Sequence, residues 1–175
     1  MDDLQNLVEN SKGGFKKLLE KLPGISGYEK KESRRETDRI VRETVAERFQ
    51  EQWNRLEQIQ RNMVKKGQIQ YLTDMESAGI KIQTFIDKVK HASYGYSGLM
   101  DAVKVDDNAL QQLYTFDNAL LDNAAKISTA LDDVEKTMET NEGVESAITS
   151  LEKVAESSLT TLNRRSEVIT GKINS

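Results

Sequence analysis

The fold class rests on residues 110–138, LQQLYTFDNALLDNAAKISTALDDVEKTM. With one interruption, apolar side chains recur here every three or four positions, the spacing that places them on one face of an α-helix. The series is Leu110, Leu113, Leu120, Ala124, Ile127, Leu131, Val134 and Met138. Its mean spacing is close to ~3.5 residues, the period of helices that pack with a left-handed supercoil. The stretch therefore predicts one long helix of a bundle.

Similar apolar patterns continue on both sides of this stretch. Turn residues divide them into predicted helices at 28–66, 68–91, 106–140 and 144–169, with a shorter helix before Pro23. Charged residues make up 31% of the chain and proline occurs once, which is typical of long helices with narrow apolar stripes. We expect an all-α fold: an elongated antiparallel bundle of four long helices. This single domain would cover residues 23–175, and residues 1–22 would form a short N-terminal amphipathic helix.

Several function classes need residue types that are scarce in this sequence. There is no cysteine and one histidine, His91, which excludes a Cys nucleophile and a zinc site of ordinary composition. A ferritin-type di-iron bundle needs a Glu-x-x-His motif on two helices, and a sequence with one histidine cannot provide it. The net charge of −4 disfavours binding to the phosphate backbone of nucleic acids. We expect no metal, no cofactor, no nucleic-acid partner and no enzymatic activity.

Asp117 occupies a position of the apolar series, between Leu113 and Leu120. Two interpretations are open. The carboxylate is either a buried polar contact or ligand, or a side chain beside Tyr114 near the end of the bundle. A buried polar group at such a position can also fix the register of neighbouring helices.

The N-terminal helix carries the clearest candidate surface. An apolar edge of Phe15, Leu18, Leu19 and Leu22 is flanked by Lys12, Lys16, Lys17 and Lys21. Such a helix can lie in a membrane interface, where anionic lipid attracts its lysines and its apolar edge inserts. The alternative is that it packs along the bundle as a fifth helix.

Two stretches rich in glycine and tyrosine are predicted to be loops. Tyr28 lies in the first, and Tyr94 and Tyr96 lie in the second. Rigid aromatic side chains on loops either dock a partner or plug the ends of a bundle. A further hypothesis places Tyr94 and Tyr96 with Asp117 and His91 in an unfamiliar active site, which requires one pocket to join them. His91 alone is more typical of a cap at a helix C-terminus.

Two motifs resemble those of a family of uncharacterised bacterial helical proteins. The first is LPGISGY at residues 22–28, leading into ESRRETDR at 32–39, and the second is YGYSGLMDAVKV at 94–105, continuing to LYTFD at 113–117. Proteins of this kind tend to accompany membrane-scaffold proteins of the flotillin/stomatin and phage-shock type. The resemblance implies a membrane-linked or scaffolding role and adds Arg34, Arg35 and Asp38 as candidate binding residues. It implies no catalytic residue.

The sequence thus predicts a non-enzymatic helical interaction or scaffold protein. We expect it in the cytoplasm, with peripheral contact to an anionic membrane surface through the N-terminal helix. Its partner would be another protein or a second copy of the chain, because an extra helix is readily added to a seam with this period. The alternative is a self-assembling structural protein that polymerises through its long helices.

Overall fold

The structure is a computed structural model, and it describes residues 14, 16–18, 20–22, 33–96 and 107–170. It contains four long helices: α1 is Ser33–Lys65, α2 is Leu72–Tyr96, α3 is Asp107–Thr140 and α4 is Val144–Thr170. A short 3-10 turn, Ile69–Tyr71, precedes α2. The described residues from 14 to 21 are also helical. Within these ranges there are helices and turns and no strand, so the predicted all-α class is confirmed.

The helices end at the predicted turn residues. Gly67 follows α1 with a φ of 72°, and Asn141 and Gly143 between α3 and α4 have φ values of 59° and 76°. These left-handed conformations stop a helix, and glycine adopts them at little cost. The predicted turns at Gly67 and at residues 141–143 are therefore confirmed.

The C-terminal end of α2 differs from the prediction. The sequence predicts that this helix stops at His91 and that Tyr94 and Tyr96 lie on a loop, whereas α2 continues to Tyr96. Glycine weakens a helix by only ~1 kcal/mol, and the preceding turn is anchored in the core by Val89, which is 2% exposed. The loop assignment of Tyr94 and Tyr96 was therefore wrong. Their side chains, and all of Tyr28, lie outside the described residues.

The helices form two antiparallel hairpins that lie side by side. α1 packs on α2, α3 packs on α4, and the hairpins join through the pairs α1–α3 and α2–α4. Lys81 of α2 contacts Glu152 of α4, and Lys88 contacts Asn163. Residue numbers thus increase in the same direction along both helices, so α2 and α4 run parallel. α1 and α3 run parallel in the same way. Successive helices thus alternate in direction, and at 33 residues α1 is ~50 Å long.

The main core runs along most of the bundle, and a second, small apolar cluster of Leu113, Val168 and Ile169 lies apart from it. Phe49 of α1 stacks on Phe85 of α2 with ring centroids 3.9 Å apart, and neither side chain is exposed. Nearby, a Cβ atom on Gly79 would lie 3.2 Å from Cδ2 of Leu56, so the missing side chain lets α1 and α2 approach closely. None of the described helices has the length of apolar sequence that crossing a membrane requires.

Gln68 ties the two hairpins together at the end of the bundle that carries both turns. Its side-chain Nε2 donates hydrogen bonds to the carbonyl oxygen of Met138, at 3.1 Å, and to Oδ1 of Asn141, at 3.0 Å. Met138 lies in the last turn of α3, whose carbonyls have no partner within the helix. The side chain of Gln68 therefore caps α3 from the other hairpin.

Candidate interaction site

The described residues between 14 and 22, here called the N-terminal segment, lie against α1 and α3. Leu18 is fully buried and Leu22 is 5% exposed, and both belong to the main core. The segment thus packs on the bundle, which is the alternative that the sequence left open.

Polar contacts hold both ends of the N-terminal segment. Asn118 of α3 donates from Nδ2 to the carbonyl oxygen of Gly14 at 3.1 Å. At the other end, Arg48 of α1 donates from Nη2 to the carbonyl oxygen of Lys21 at 2.8 Å. Lys21 also pairs with Asp122 of α3, with Nζ 2.7 Å from Oδ1. Residue numbers rise together along the segment and α3, so the two run parallel.

These contacts define a docking groove, formed by Arg48 of α1 and by Asn118 and Asp122 of α3. Tyr114 of α3 completes it, because its Cβ lies 3.8 Å from the position of a Cβ atom built on Gly14. Arg48 binds a carbonyl in the last turn of the segment, where the helix dipole favours a cation. The Lys21–Asp122 pair is partly exposed and contributes at most ~1 kcal/mol. The two leucines contribute more, roughly 1.5–3 kcal/mol each. Apolar burial therefore dominates docking, and the polar contacts set its position.

The exposed side chains of the segment carry a net positive charge, from Lys16 and Lys17 against Glu20. Lys16 and Lys17 are exposed, while Leu18, one residue further on, points into the core. In the docked segment Leu18 fills the groove. Its predicted role in membrane or partner binding therefore applies only to a segment that has left the groove, and it stays a prediction. Phe15 and Leu19 lie outside the described residues.

A second polar feature is a cluster of charged side chains inside the bundle. Arg165 of α4 donates from Nε to Oδ1 of Asp117 and from Nη2 to Oδ1 of Asp38, both at 2.5 Å. Arg42 donates from Nε to Oδ2 of Asp38 at 2.8 Å. The side chains of Arg165 and Asp117 are each 5% exposed. The cluster joins α1, α3 and α4 within one network of ion pairs.

Asp38, a candidate binding residue by the resemblance, lies inside the bundle. Its side chain is 9% exposed and forms ion pairs with Arg42 and Arg165. α1 is therefore already packed inside the bundle at Asp38, in its second turn. Arg34 and Arg35 belong to the first turn of α1, but the structure does not describe their side chains.

Burial and charge compete within the cluster. For Asp38, burial alone would raise the pKa, but Arg165 and Arg42 outweigh it and lower the pKa below its usual value. For Asp117, burial dominates and raises the pKa, although Arg165 offsets part of the effect. Burial disfavours the charged form of Arg165, yet Asp117 and Asp38 raise its pKa. The contact of 2.5 Å places the Asp117 carboxyl group against the Arg165 guanidinium, whose charge favours the ionised form.

The space beside the cluster is too small for a substrate. A cavity of about 10 Å³, lined by residues that include Val41, Val89, Asp117 and Leu162, has room for one water molecule. His91 does not line it: this side chain is exposed, and its Nδ1 lies 2.7 Å from the carbonyl oxygen of Asp87. The cavity thus does not bring Asp117 and His91 together. In the described part of the chain, no three acidic or histidine side chains are grouped as metal ligands.

Several residues of the groove and the cluster were missed by the sequence analysis. Arg165 carried a usable signal, because it stands in the apolar series of α4 between Leu162 and Val168, as Asp117 does in α3. Opposite charges at apolar positions of two helices indicate a buried pair. Arg48 and Asn118 carried no such signal, since polar residues at their positions are common on exposed faces.

Comparison with known proteins yields a family and no individual relative. No curated protein and no solved structure matches the chain. Residues 17–173 match the family model described as Hsp90 protein, which covers the docked segment from Lys17 onward and all four long helices. The suggested likeness to a family of uncharacterised helical proteins stays a prediction. By the extent of the family match, the chain belongs to the Hsp90 protein family.

Proposed function

We propose that the chain is a non-enzymatic helical interaction protein whose N-terminal segment moves between the docking groove and an anionic membrane surface. The observation that carries this proposal is the two-sided segment. Lys16 and Lys17 face outward, while Leu18 and Leu22 fill the groove. A helix with these two faces suits a protein core and a lipid interface equally well.

The free-energy cost of leaving the groove is comparable to the gain from lysines at an anionic surface, so membrane binding should be weak and should depend on lipid charge and salt. Leaving the groove breaks the charged hydrogen bond from Arg48, worth about 1.5–3 kcal/mol, and the neutral one from Asn118, worth about 0.5–1.5 kcal/mol. The leucines lose little, because lipid buries them again, but the emptied groove exposes apolar surface. Each lysine near an anionic surface contributes about 1 kcal/mol. Binding is therefore expected to need several lysines, anionic lipid and low salt.

Charge reversal tests this proposal. Lys16→Glu/Lys17→Glu is compared with Lys136→Glu/Lys153→Glu, a matched change at exposed lysines of α3 and α4. Both proteins are sedimented with anionic and with neutral vesicles, and circular dichroism confirms that both fold. Loss of anionic binding only in the first variant supports the proposal. Unchanged binding in that variant contradicts it.

A second candidate function follows from the family match: an ATP-dependent chaperone. It is favoured by the match over residues 17–173 alone. ATP hydrolysis by the purified chain, together with suppression of the aggregation of a heated client protein, would support it. Absence of both activities, with vesicle binding retained, would favour the interaction protein.

A further inference from the structure

The docking groove has the properties of a general receptor for one kind of helix. It takes two leucines four residues apart, it presents Arg48 to a carbonyl at the C-terminal end, and it presents Asp122 to a lysine. An emptied groove would expose the core surface against which the fully buried Leu18 packs. Exposed apolar surface of this kind favours any helix with matching chemistry.

We propose that the groove also binds the N-terminal segment of a second copy of the chain, so that two copies exchange segments. The second copy supplies by identity the same two leucines, the same lysine and the same carbonyl oxygens. Every contact made within one chain is then repeated between chains. Docking within one chain and exchange between two chains therefore make the same contacts. Their free energies differ by two entropy costs: bringing two chains together in the exchanged state, and closing the connecting chain in the docked state.

The length of the connection permits this exchange. Ten residues, 23–32, separate Leu22 from the start of α1. Lys21 lies beside Arg48, fifteen residues after the start of α1, so the connection must run back about 22 Å along α1. An extended chain of ten residues spans up to about 33–36 Å, which is more than docking in its own groove uses. The connection therefore does not restrict the segment to its own groove. Exchange depends on protein concentration and needs no lipid, so it stands or falls independently of membrane binding.

Gly14 and Tyr114 provide a direct probe of which chain fills the groove. A Cβ atom at position 14 would lie 3.8 Å from Cβ of Tyr114, which is the usual Cβ–Cβ separation of a disulfide. The chain has no native cysteine to interfere. A disulfide between Gly14→Cys and Tyr114→Cys thus reports a docked segment.

The test mixes two single variants, Gly14→Cys and Tyr114→Cys, at high protein concentration and then oxidises them. We expect a covalent dimer that contains one chain of each kind, with the 14–114 link identified by mass spectrometry of the peptides. A mixture of Gly14→Cys with Lys153→Cys, an exposed site on α4, measures random collision. The double variant Gly14→Cys/Tyr114→Cys, oxidised at low concentration, measures docking within one chain.

Two results would overturn the proposal. In the first, the double variant closes its internal disulfide while the mixture gives no more 14–114 dimer than the Lys153→Cys control. In the second, neither the double variant nor the mixture forms the link, which removes the groove itself as a docking site. Vesicle binding by the same proteins is read separately, so a failure of the membrane proposal is distinguishable from a failure of segment exchange.

Discussion

Arg165 of α4 and Asp117 of α3 form an ion pair of 2.5 Å inside the bundle, where each side chain is only 5% exposed. Asp38 shares the same guanidinium, so helices distant in sequence meet at one cation. Desolvation offsets much of the attraction in such a pair, and a net gain in stability is not its main consequence. Removing one member is costly, however, which makes the cluster a strong determinant of how α1, α3 and α4 align.

Replacing the central arginine tests this view of the cluster. Arg165→Met leaves two buried carboxylates with only Arg42 as a partner, and we expect the free energy of unfolding to fall by about 3–5 kcal/mol. Arg164→Met is the matched control, because Arg164 is exposed, and its effect should stay within about 0.5 kcal/mol. Urea unfolding measures both. Equal losses in the two variants would show that the buried pairing has no special role.

The pH dependence of stability isolates Asp117. Burial raises the pKa of Asp117, so the folded protein holds this proton to a higher pH than the unfolded chain, in which Asp titrates near ~3.9. The contribution of Asp117 to the free energy of unfolding is therefore fully present below the unfolded-state pKa. It is lost as the pH rises through the higher folded-state pKa. We expect the stability of the wild type relative to Asp117→Asn to decline as the pH rises above ~3.9.

Asp38 provides the opposite sign in the same measurement. Its pKa is lowered, so its contribution is present above the unfolded value of ~3.9 and is lost as the pH falls through the folded-state pKa. Relative to Asp38→Asn, the wild type should lose stability on acidification below that value. The same pH trend in both comparisons would contradict the assignment of opposite pKa directions.

Because Leu18 holds the N-terminal segment in the groove, its replacement should destabilise the segment locally without unfolding the bundle. Leu18→Ala should weaken docking by at least about 2 kcal/mol, which corresponds to roughly 30-fold faster hydrogen exchange of amides in the segment. The exposed neighbour Lys17 gives the control, and Lys17→Ala should change exchange little. Exchange followed by mass spectrometry resolves the segment from α1. Equal exchange in both variants would mean that Leu18 does not hold the segment.

A backbone prediction concerns Gly67 after α1. Its φ is 72°, and a Cβ atom there would meet nothing within 4 Å. Gly67→Ala should therefore cost about 1–2 kcal/mol from backbone conformation alone, without a packing contribution. Gln70→Ala, at an exposed position nearby, should cost less than about 0.5 kcal/mol. Thermal unfolding of the two variants checks the difference.

Local periodicity was sufficient to predict the helices, because each apolar series reports one buried face. It was not sufficient for long-range partners. Asp38 has arginines within one helical turn, a pattern typical of an exposed helix, and its partner Arg165 lies 127 residues away. Leu18 was ambiguous for a different reason: the same amphipathic pattern satisfies a lipid interface and a protein groove. The end of α2 was misjudged because the low helix propensity of Gly95 was given more weight than the packing before it.

The most direct measurement locks the N-terminal segment in the groove and then tests for membrane binding. Gly14→Cys/Tyr114→Cys is oxidised at low concentration and sedimented with anionic vesicles, with and without dithiothreitol. If the segment must leave the groove to bind lipid, the oxidised protein stays in solution, and reduction restores binding to the level of the wild type. Equal binding of the oxidised and reduced forms, or no binding by the reduced form and the wild type, would contradict the proposed function.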